Sequence, residues 1–272
     1  MTFNLLNSLK KNIRNFTERP LVIVEDQFAL KSLNQKIPPI VHQTWVENRF
    51  GKTHANQIKK FRSLNKNLNF KIYSEKQMIE YMEHKWSDHE IYNIFNKCKI
   101  GPLRTDIFRY CILYEQGGYY FDINKACSIP LTNLHKNNDS FVLTFEDTYS
   151  FIPPHKKTLH ILKRPFNHCL QWGLCVEKKH KILDGIIAHI VKNYPFYKNK
   201  KFQNPKLAIL NFTGPGAYTK IVREYIEKNG DKGIRQLDIK FNGKGIFKLK
   251  GSSFRYYQNP SYVYLENKVI CN

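Results

Sequence analysis

Apolar positions along this chain recur with two periods, and the switches between them mark out a series of short elements. Residues 3 to 16, FNLLNSLKKNIRNF, set Phe3, Leu6, Leu9, Ile13 and Phe16 at near-helical spacing with Lys10, Lys11 and Arg14 between them, which predicts a basic amphipathic helix. Leu21 to Val24 is a short β-type run and Ser32 to Lys36 a polar connector. In IPPIVHQTW, Ile37 to Trp45, the two prolines disfavour helix and Ile40 and Val41 begin an extended run. There follow a basic helix over Asn56 to Leu64, a strand over Phe70 to Tyr73, and a helix from Ser74 through Met82 that Ser74 and Gln77 open at capping-box spacing. Residues 86 to 99 also read as helical, with Ile91, Ile94 and Phe95 on one face. The strand, helix, strand, helix rhythm predicts an α/β chain.

Gly101 and Pro102 then interrupt, and proline suits the first turn of a new helix, where its missing N–H would be unpaired anyway. Ile107, Tyr110, Cys111 and Tyr114 form a stripe at i, i+3, i+4, i+7, and Phe108 and Ile112 widen it, so this helix should be mostly buried. Gly117 fits the left-handed position that stops a helix, and Gly118 allows a tight reversal into a short strand, Tyr119 to Phe121. Later, Phe141 to Phe145 reads as a strand, and Ile182, Leu183, Ile186, Ile187 and Ile190 mark an amphipathic helix. The tail from Phe241 to Lys268 is β-like and aromatic, with Arg255, Tyr256, Tyr257, Tyr262 and Tyr264 forming either a stacking surface or an edge sheet packed on the rest.

Polar residues placed by these elements supply the candidate chemistry. Asp106 and Arg109 stand three apart, so both project from one helix face; an ion pair with no ligand is the plain alternative. Asp122 and Asn124 follow a strand and, if extended, point the same way. Two such oxygen-bearing side chains can hold a hard divalent cation that a diphosphate also binds, although Asp and Asn after a strand also make ordinary turns. His42, Gln43, Thr44 and Trp45 lie at the carboxyl end of a strand, where open α/β sheets form their ligand crevice; core packing is the alternative for Trp45. Glu146 and Asp147 are carboxylates at the end of the Phe141 to Phe145 strand and within reach of an acceptor, unless they form a solvated turn. Thr213, Gly214, Pro215 and Gly216 make a turn exposing backbone N–H groups before a helix from about Ala217, a place for a phosphate or hydroxyl or a simple cap.

Charge and composition change this picture little. The 272 residues carry a formal charge of +22, with 42% hydrophobic and 14% aromatic residues, so the chain is globular and phosphate-bearing partners suit it. Its lysines are scattered rather than clustered with aromatics, which argues against a nucleic-acid surface. The six cysteines include no CxxC pair and no Cys/His cluster at zinc spacing, so reduced thiols and an intracellular setting are expected. No apolar run has the length of a membrane span, and the N-terminus lacks a signal peptide's apolar block. The expectation is a soluble cytoplasmic protein, with residues 3–16 as a peripheral contact to an anionic membrane surface.

Taken in order, IPPIVHQTW, TDIFRYCILYEQGGYYFDIN and NFTGPGAYT resemble the glycosyltransferases with a DxD sugar-binding region. This group is related to the yeast initiating α-1,6-mannosyltransferases and to bacterial and viral polysaccharide enzymes, and is glycosyltransferase family 32-like. The resemblance is specific from Ile37 to Asn124, thinner to about Tyr218, and absent before Lys36. It implies a GT-A type, Rossmann-like nucleotide-sugar-binding α/β fold with additional helices and a small β-rich C-terminal part. The expected division is an N-terminal helical extension over 1–36, a nucleotide-sugar-binding half over 37–150, and an acceptor-side half of the same catalytic domain over 151–272.

The implied activity is retaining transfer of a hexose or N-acetylhexosamine from a nucleotide sugar to a glycan or glycoconjugate, as in polysaccharide biosynthesis. A UDP-sugar is favoured, because that donor class is the commoner one across the wider fold, and a GDP-sugar is the other option. Trp45 looks like the aromatic that packs on the base, with His42, Gln43, Thr213 and Gly214 as further donor contacts. Asp106 and Arg109 match the Asp-x-x-Arg pair that holds donor sugar and phosphates, and Asp122 matches the first aspartate of DxD; these three are the catalytic set. Asn124 occupies the place of the last aspartate, normally the direct metal ligand. Its neutral carbonyl should weaken Mn²⁺ or Mg²⁺ binding, and the neighbouring Lys125 works against a cation or itself neutralises phosphate. Asn167 and Trp172, with Glu146 and Asp147, are the acceptor-side candidates. Gln171 and Trp172 look like the family's Gln-Trp segment, which leads into a histidine turn; here His180 is flanked by Lys179 and Lys181 in place of glycine and proline. Two other readings stay open: a donor-binding relative left catalytically weak by Asn124, and a basic module for nucleic acid or an anionic surface.

Overall fold

The computed structural model describes residues 12–258 and 265–272. Its centre is a seven-stranded mixed sheet built from β1 (Ile40–Thr44), β2 (Asn69–Tyr73), β3 (Gly118–Phe121), β4 (Phe141–Tyr149), β5 (Asn167–Cys169), β6 (Gly173–Val176) and β7 (Ile234–Asp238). The strand order is β7-β4-β6-β3-β1-β2, with β5 pairing β4. β1 runs parallel to both β2 and β3, and β7 runs parallel to β4, while β6 lies antiparallel between β3 and β4. The packed helices are α1 (Lys52–Ser63), α2 (Glu75–Trp86), α3 (Glu90–Lys97), α4 (Gly101–Gln116), α5 (Lys181–Tyr197), α6 (Pro205–Phe212) and α7 (Pro215–Asn229), and a single turn, α8 (Arg255–Gln258), lies in the tail. This is the α/β arrangement the strand and helix rhythm predicts, of the Rossmann-like type the resemblance implies.

Alternation along the strands sorts the core into two layers. Tyr119 and Phe121 of β3 join Val41, Phe61 and Phe70 on the face covered by α1. Tyr120 points the other way, into the layer formed by α4, α5 and α7 with Ile107, Ile186 and Val222. Because α4 is enclosed by neighbours, every residue from Asp106 to Leu113 is buried. Fully burying each large apolar side chain is worth about 1.5–3 kcal/mol, so this helix anchors the layer.

Local chemistry sets the ends of these elements. Ser74 accepts from the Gln77 N–H and Gln77 reciprocates, completing the expected capping box. The helix runs on to Trp86, and a separate α3 starts where the His89 ring accepts from the Ile91 N–H, so residues 86–99 are not one helix. Between α4 and β3 the glycines are required: Gly117 has φ 64 and Gly118 φ 95, and a Cβ on Gly118 would meet the Ile40 carbonyl oxygen at 2.4 Å. His180 caps α5 as the histidine turn predicts, with Lys179 at φ 56 in the left-handed region that a glycine would occupy without strain.

Three sequence expectations change. β4 continues to Tyr149 because β5 pairs with its far end, so Glu146 and Asp147 lie inside a strand rather than at its end. The tail's described residues form two separate two-residue strands, Gly245–Ile246 paired with Ala126–Cys127 and Lys268–Val269 paired with Lys201–Phe202, with short helical turns between the two strands, rather than one edge sheet; Tyr262 and Tyr264 lie outside the described residues. Before Ile37, residues 12–18 are helical and Val22–Ile23 pairs with Arg49–Phe50, while the start of the helix expected over 3–16 lies outside the described residues. No helix among the described residues is long and apolar enough to cross a membrane. All six cysteines are buried and free.

Candidate active site

The chain passes from β1 through α1 to β2 on one side, then returns through α2, α3 and α4 to β3 on the other side of β1. That reversal opens a crevice beyond the carboxyl ends of β1 and β3. A cleft of about 830 Å³ lies there, lined by Thr44 and Trp45 after β1, by Asp106 and Arg109 of α4, and by Asp122, Asn124 and Lys125 after β3.

Its floor is a charged cluster. Nη1 of Arg109 lies 3.1 Å from Oδ1 of Asp106, and Nη2 donates to Oδ1 of Asp122 at 2.9 Å. The guanidinium also sits over the Tyr120 ring, 4.4 Å from its centroid. Burial works against the arginine's charge, but Tyr120, Asp122 and Asp106 more than offset it and raise its pKa. Asp106 is held from below: the Thr213 hydroxyl donates to Oδ2 at 2.9 Å and the Gln171 amide donates to Oδ1 at 3.2 Å. Tyr110 donates to the Thr213 carbonyl at 2.8 Å, which ties α4 to the start of α7. Burial nonetheless pushes the Asp106 carboxyl up to about 7, against the pull of Arg109, Thr213 and Gln171.

The far wall carries more positive charge. Asn124, its amide oxygen assigned to face the tail because only that orientation gives the amide partners, accepts from both terminal nitrogens of Arg255 at 2.9 and 3.1 Å. The same guanidinium stands 5.7 Å from the Trp45 ring centroid. Nζ of Lys125 lies 3.2 Å from the centroid of Phe247 and 5.6 Å from that of Trp172. Burial lowers the Lys125 pKa to about 8, although Asp122 and Glu146 favour its charge. Among the described residues, six cationic side chains line the cleft against three carboxylates, and each of these carboxylates is already in an ion pair, Glu75 with Arg104 at 3.1 Å. The cleft therefore favours an anionic ligand.

Of the residues singled out in sequence, Trp45, Asp106, Arg109, Asp122, Asn124 and Gly214 share this cleft. Asp122 and Asn124 are not on an extended strand: β3 ends at Phe121, and the Lys125 N–H donates to the Asp122 carbonyl at 2.8 Å, closing a turn. Thr213 is fully buried beneath Asp106 and acts through it. His42 does not line the cleft: it is buried, with Nδ1 3.2 Å from the Tyr73 hydroxyl and Nε2 3.1 Å from the Gly117 carbonyl oxygen, and burial lowers its pKa to about 4. Gln43 is buried on the opposite face of β1 and does not line the cleft.

The four acceptor-side candidates also lie off the lining. Asp147 pairs with Lys240 at 2.5 Å, Asn167 donates to the Glu146 carbonyl at 2.9 Å, and Trp172 is buried against Phe121 and Phe241 behind Lys125. Burial raises the Glu146 pKa, with Lys240 and Lys125 opposing. Sequence reasoning placed Arg255 only on a tail surface and left out Phe247; no local pattern connects either to Asn124 or Lys125.

The sequence matches the family description "Glycosyltransferase sugar-binding region containing DXD motif" over residues 4–141, just over half of the chain. The match reaches back well before Ile37, where the motif resemblance begins. The chain is 25% identical over 213 residues to an initiation-specific alpha-1,6-mannosyltransferase of Candida albicans, an alignment spanning 71% of this chain and 54% of that protein. Inositol phosphoceramide mannosyltransferase 1 of Schizosaccharomyces pombe is 23% identical over 183 residues, spanning 61% of this chain and 56% of the relative. An uncharacterized glycosyltransferase of Acanthamoeba polyphaga mimivirus is 25% identical over 212 residues, spanning 75% and 72%. The chain thus spans about half the length of the two yeast relatives. Among solved structures, the PaToxG glycosyltransferase aligns with a TM-score of 0.45 and 14% identity over 84% of this chain and 78% of that one. The Asp106, Arg109 and Asp122 floor falls inside the matched region, and the chain belongs to the family of glycosyltransferases with a sugar-binding region containing the DXD motif.

Proposed function

We propose that this cleft binds a nucleoside-diphosphate sugar and transfers its hexosyl group to a hydroxyl of a glycan or glycoconjugate. The observation that carries the reading is the Arg109 bridge between Asp106 and Asp122 on the floor of a cationic cleft. Transfer breaks the bond between the sugar's anomeric carbon and the diphosphate oxygen, whose electron pair leaves with the diphosphate. The acceptor oxygen bonds to that carbon and loses its proton to the departing phosphate. Arg109 is placed to stabilise charge gathering on the diphosphate, and the carboxylates of Asp106 and Asp122 to bind sugar hydroxyls and favour a cationic ring. Trp45 offers a flat face at the cleft edge for the base.

Retention of configuration is part of this proposal. An inverting route needs a free base, and each carboxylate lining the cleft among the described residues is engaged by an arginine. Two relatives are named as mannosyltransferases, which puts a mannosyl donor first in the panel to be tested, with both UDP- and GDP-sugars included. The experiment measures thermal shift and nucleoside-diphosphate release across that panel, then the anomeric configuration of the product by NMR. Absence of shift and release with every donor sinks the reading. Asn124 motivates one second reading, a donor-binding relative with little turnover, which a shift without release would support.

A further inference from the structure

We infer that Arg255 and Lys125 stand in for the divalent metal in this cleft, gripping the donor's diphosphate and neutralising it as it departs. This rests on the nucleotide-sugar reading above. Three observations carry it.

Two of the oxygens a metal would draw on are already engaged by arginines. Oδ1 of Asp122 accepts from Arg109, the Asn124 oxygen faces the Arg255 guanidinium at 2.9 and 3.1 Å, and no group of three or more His, Cys, Asp or Glu among the described residues is arranged to hold a metal ion. A divalent cation seated on Asn124 would meet a fixed guanidinium and, at the next residue, a buried ammonium, with like-charge repulsion from both. The residues present therefore do not fit a resident metal.

The cations that take its place are held in position. Arg255 is oriented by Asn124 on one side and by the Trp45 face on the other, so its planar fork is set between the aromatic proposed for the base and the Asp122 turn. That is where a diphosphate joining base to sugar would run, and a guanidinium can bind two of its oxygens at once. Lys125 is fixed against Phe247 and Trp172 with its ammonium on the cleft lining. Among the described residues, neither cation has an ion-pair carboxylate within 4 Å, unlike Arg109 and Arg104. Asn124 has a function in this arrangement: an aspartate there would pair with Arg255 and withdraw its charge from the ligand.

The test is calorimetric binding of UDP and of GDP, each alone, to the wild-type protein in EDTA and again in Mn²⁺, with Arg255→Gln measured in parallel and its melting temperature checked. The expected result is wild-type affinity that differs by less than about fivefold between the two buffers, and a loss of about tenfold or more on Arg255→Gln in both. Wild-type binding fivefold or more tighter in Mn²⁺ overturns the inference while leaving the nucleotide-sugar reading intact. So does a folded Arg255→Gln that binds as wild type does in EDTA. Failure of both nucleotides to bind wild type in either buffer overturns the two together. Should Arg255→Gln not fold, the wild-type comparison of EDTA with Mn²⁺ still decides.

Discussion

Arg109 bridges two carboxylates that reach it from different elements: Asp106, one turn earlier on α4, and Asp122, beyond the strand that follows. One guanidinium thus fixes the distance between helix and turn. Replacing it should cost both stability and chemistry. Arg109→Gln leaves Asp106 buried without a cation, and the expected loss is about 3–5 kcal/mol of unfolding free energy in urea. Arg109→Lys keeps the charge but not the fork, so the protein should fold while nucleoside-diphosphate release falls by about 100-fold or more.

Asp122 is the partly open end of that bridge, its side chain 33% exposed against 11% for Asp106. Asp122→Ala should therefore destabilise by only about 1–2 kcal/mol and yet abolish donor turnover. Circular dichroism with a release assay checks this, and retained turnover would mean the site lies elsewhere.

His42 belongs to the frame, since it fastens β1 to Tyr73 and to the Gly117 carbonyl. His42→Ala strands the Gly117 carbonyl and opens a cavity, for an expected cost of about 3 kcal/mol. The affinity for a nucleoside diphosphate should stay within about twofold of wild type, because the ring is not on the cleft lining. A large affinity loss in a well-folded variant would restore His42 as a donor contact.

Acid should unfold the protein over a defined range. His42, His54 and His180 are each lowered by burial from 6.5 to about 4. Between those values the unfolded chain binds three protons that the folded one refuses, so stability is full above pH 6.5 and is lost as pH falls towards 4. Asp106 works in the opposite sense: raised from 3.8 to about 7, it binds a proton in the fold that the unfolded chain lacks, a gain in stability below 7 that is lost on ionisation. For these four groups three protons against one leave a net two, or about 3 kcal/mol lost per pH unit near pH 5, and the lowered pKa values of His135, His168 and His189 add to the loss. Urea melts at pH 7, 6 and 5 measure the slope. In Asp106→Asn the opposing proton is absent, so the slope should steepen.

What could be read from the sequence is what short-range rules encode. Pro102, the Ser74 and Gln77 box, the apolar stripe of α4 and the Gly117-Gly118 stop each act within a few residues, and each is found where expected. Asp106 and Arg109 share a face for the same reason. The placements the sequence did not show depend on distant partners. His42 and Thr44, two apart on β1, share a face, but only Tyr73 and the Gly117 carbonyl decide that the histidine is enclosed while Thr44 reaches the cleft. Glu146 and Asp147 stay in strand because β5 returns to pair with Phe145 and Tyr149 on either side of them. Thr213 supports Asp106 across 107 residues, and Arg255 meets Asn124 from the far end of the chain, a contact no local period announces.

That last contact sets an order of assembly. Asp106, Arg109 and Asp122 leave the ribosome close together and can form their bridge early, since chains emerge N-terminus first. Arg255 follows Asp122 by 133 residues and emerges much later. A nascent chain with its acidic floor complete therefore still lacks the wall that faces Trp45 until Arg255 has emerged. A protease nick between Phe247 and Arg255 would return the finished protein to that earlier condition, with the sheet intact and the cleft open on one side.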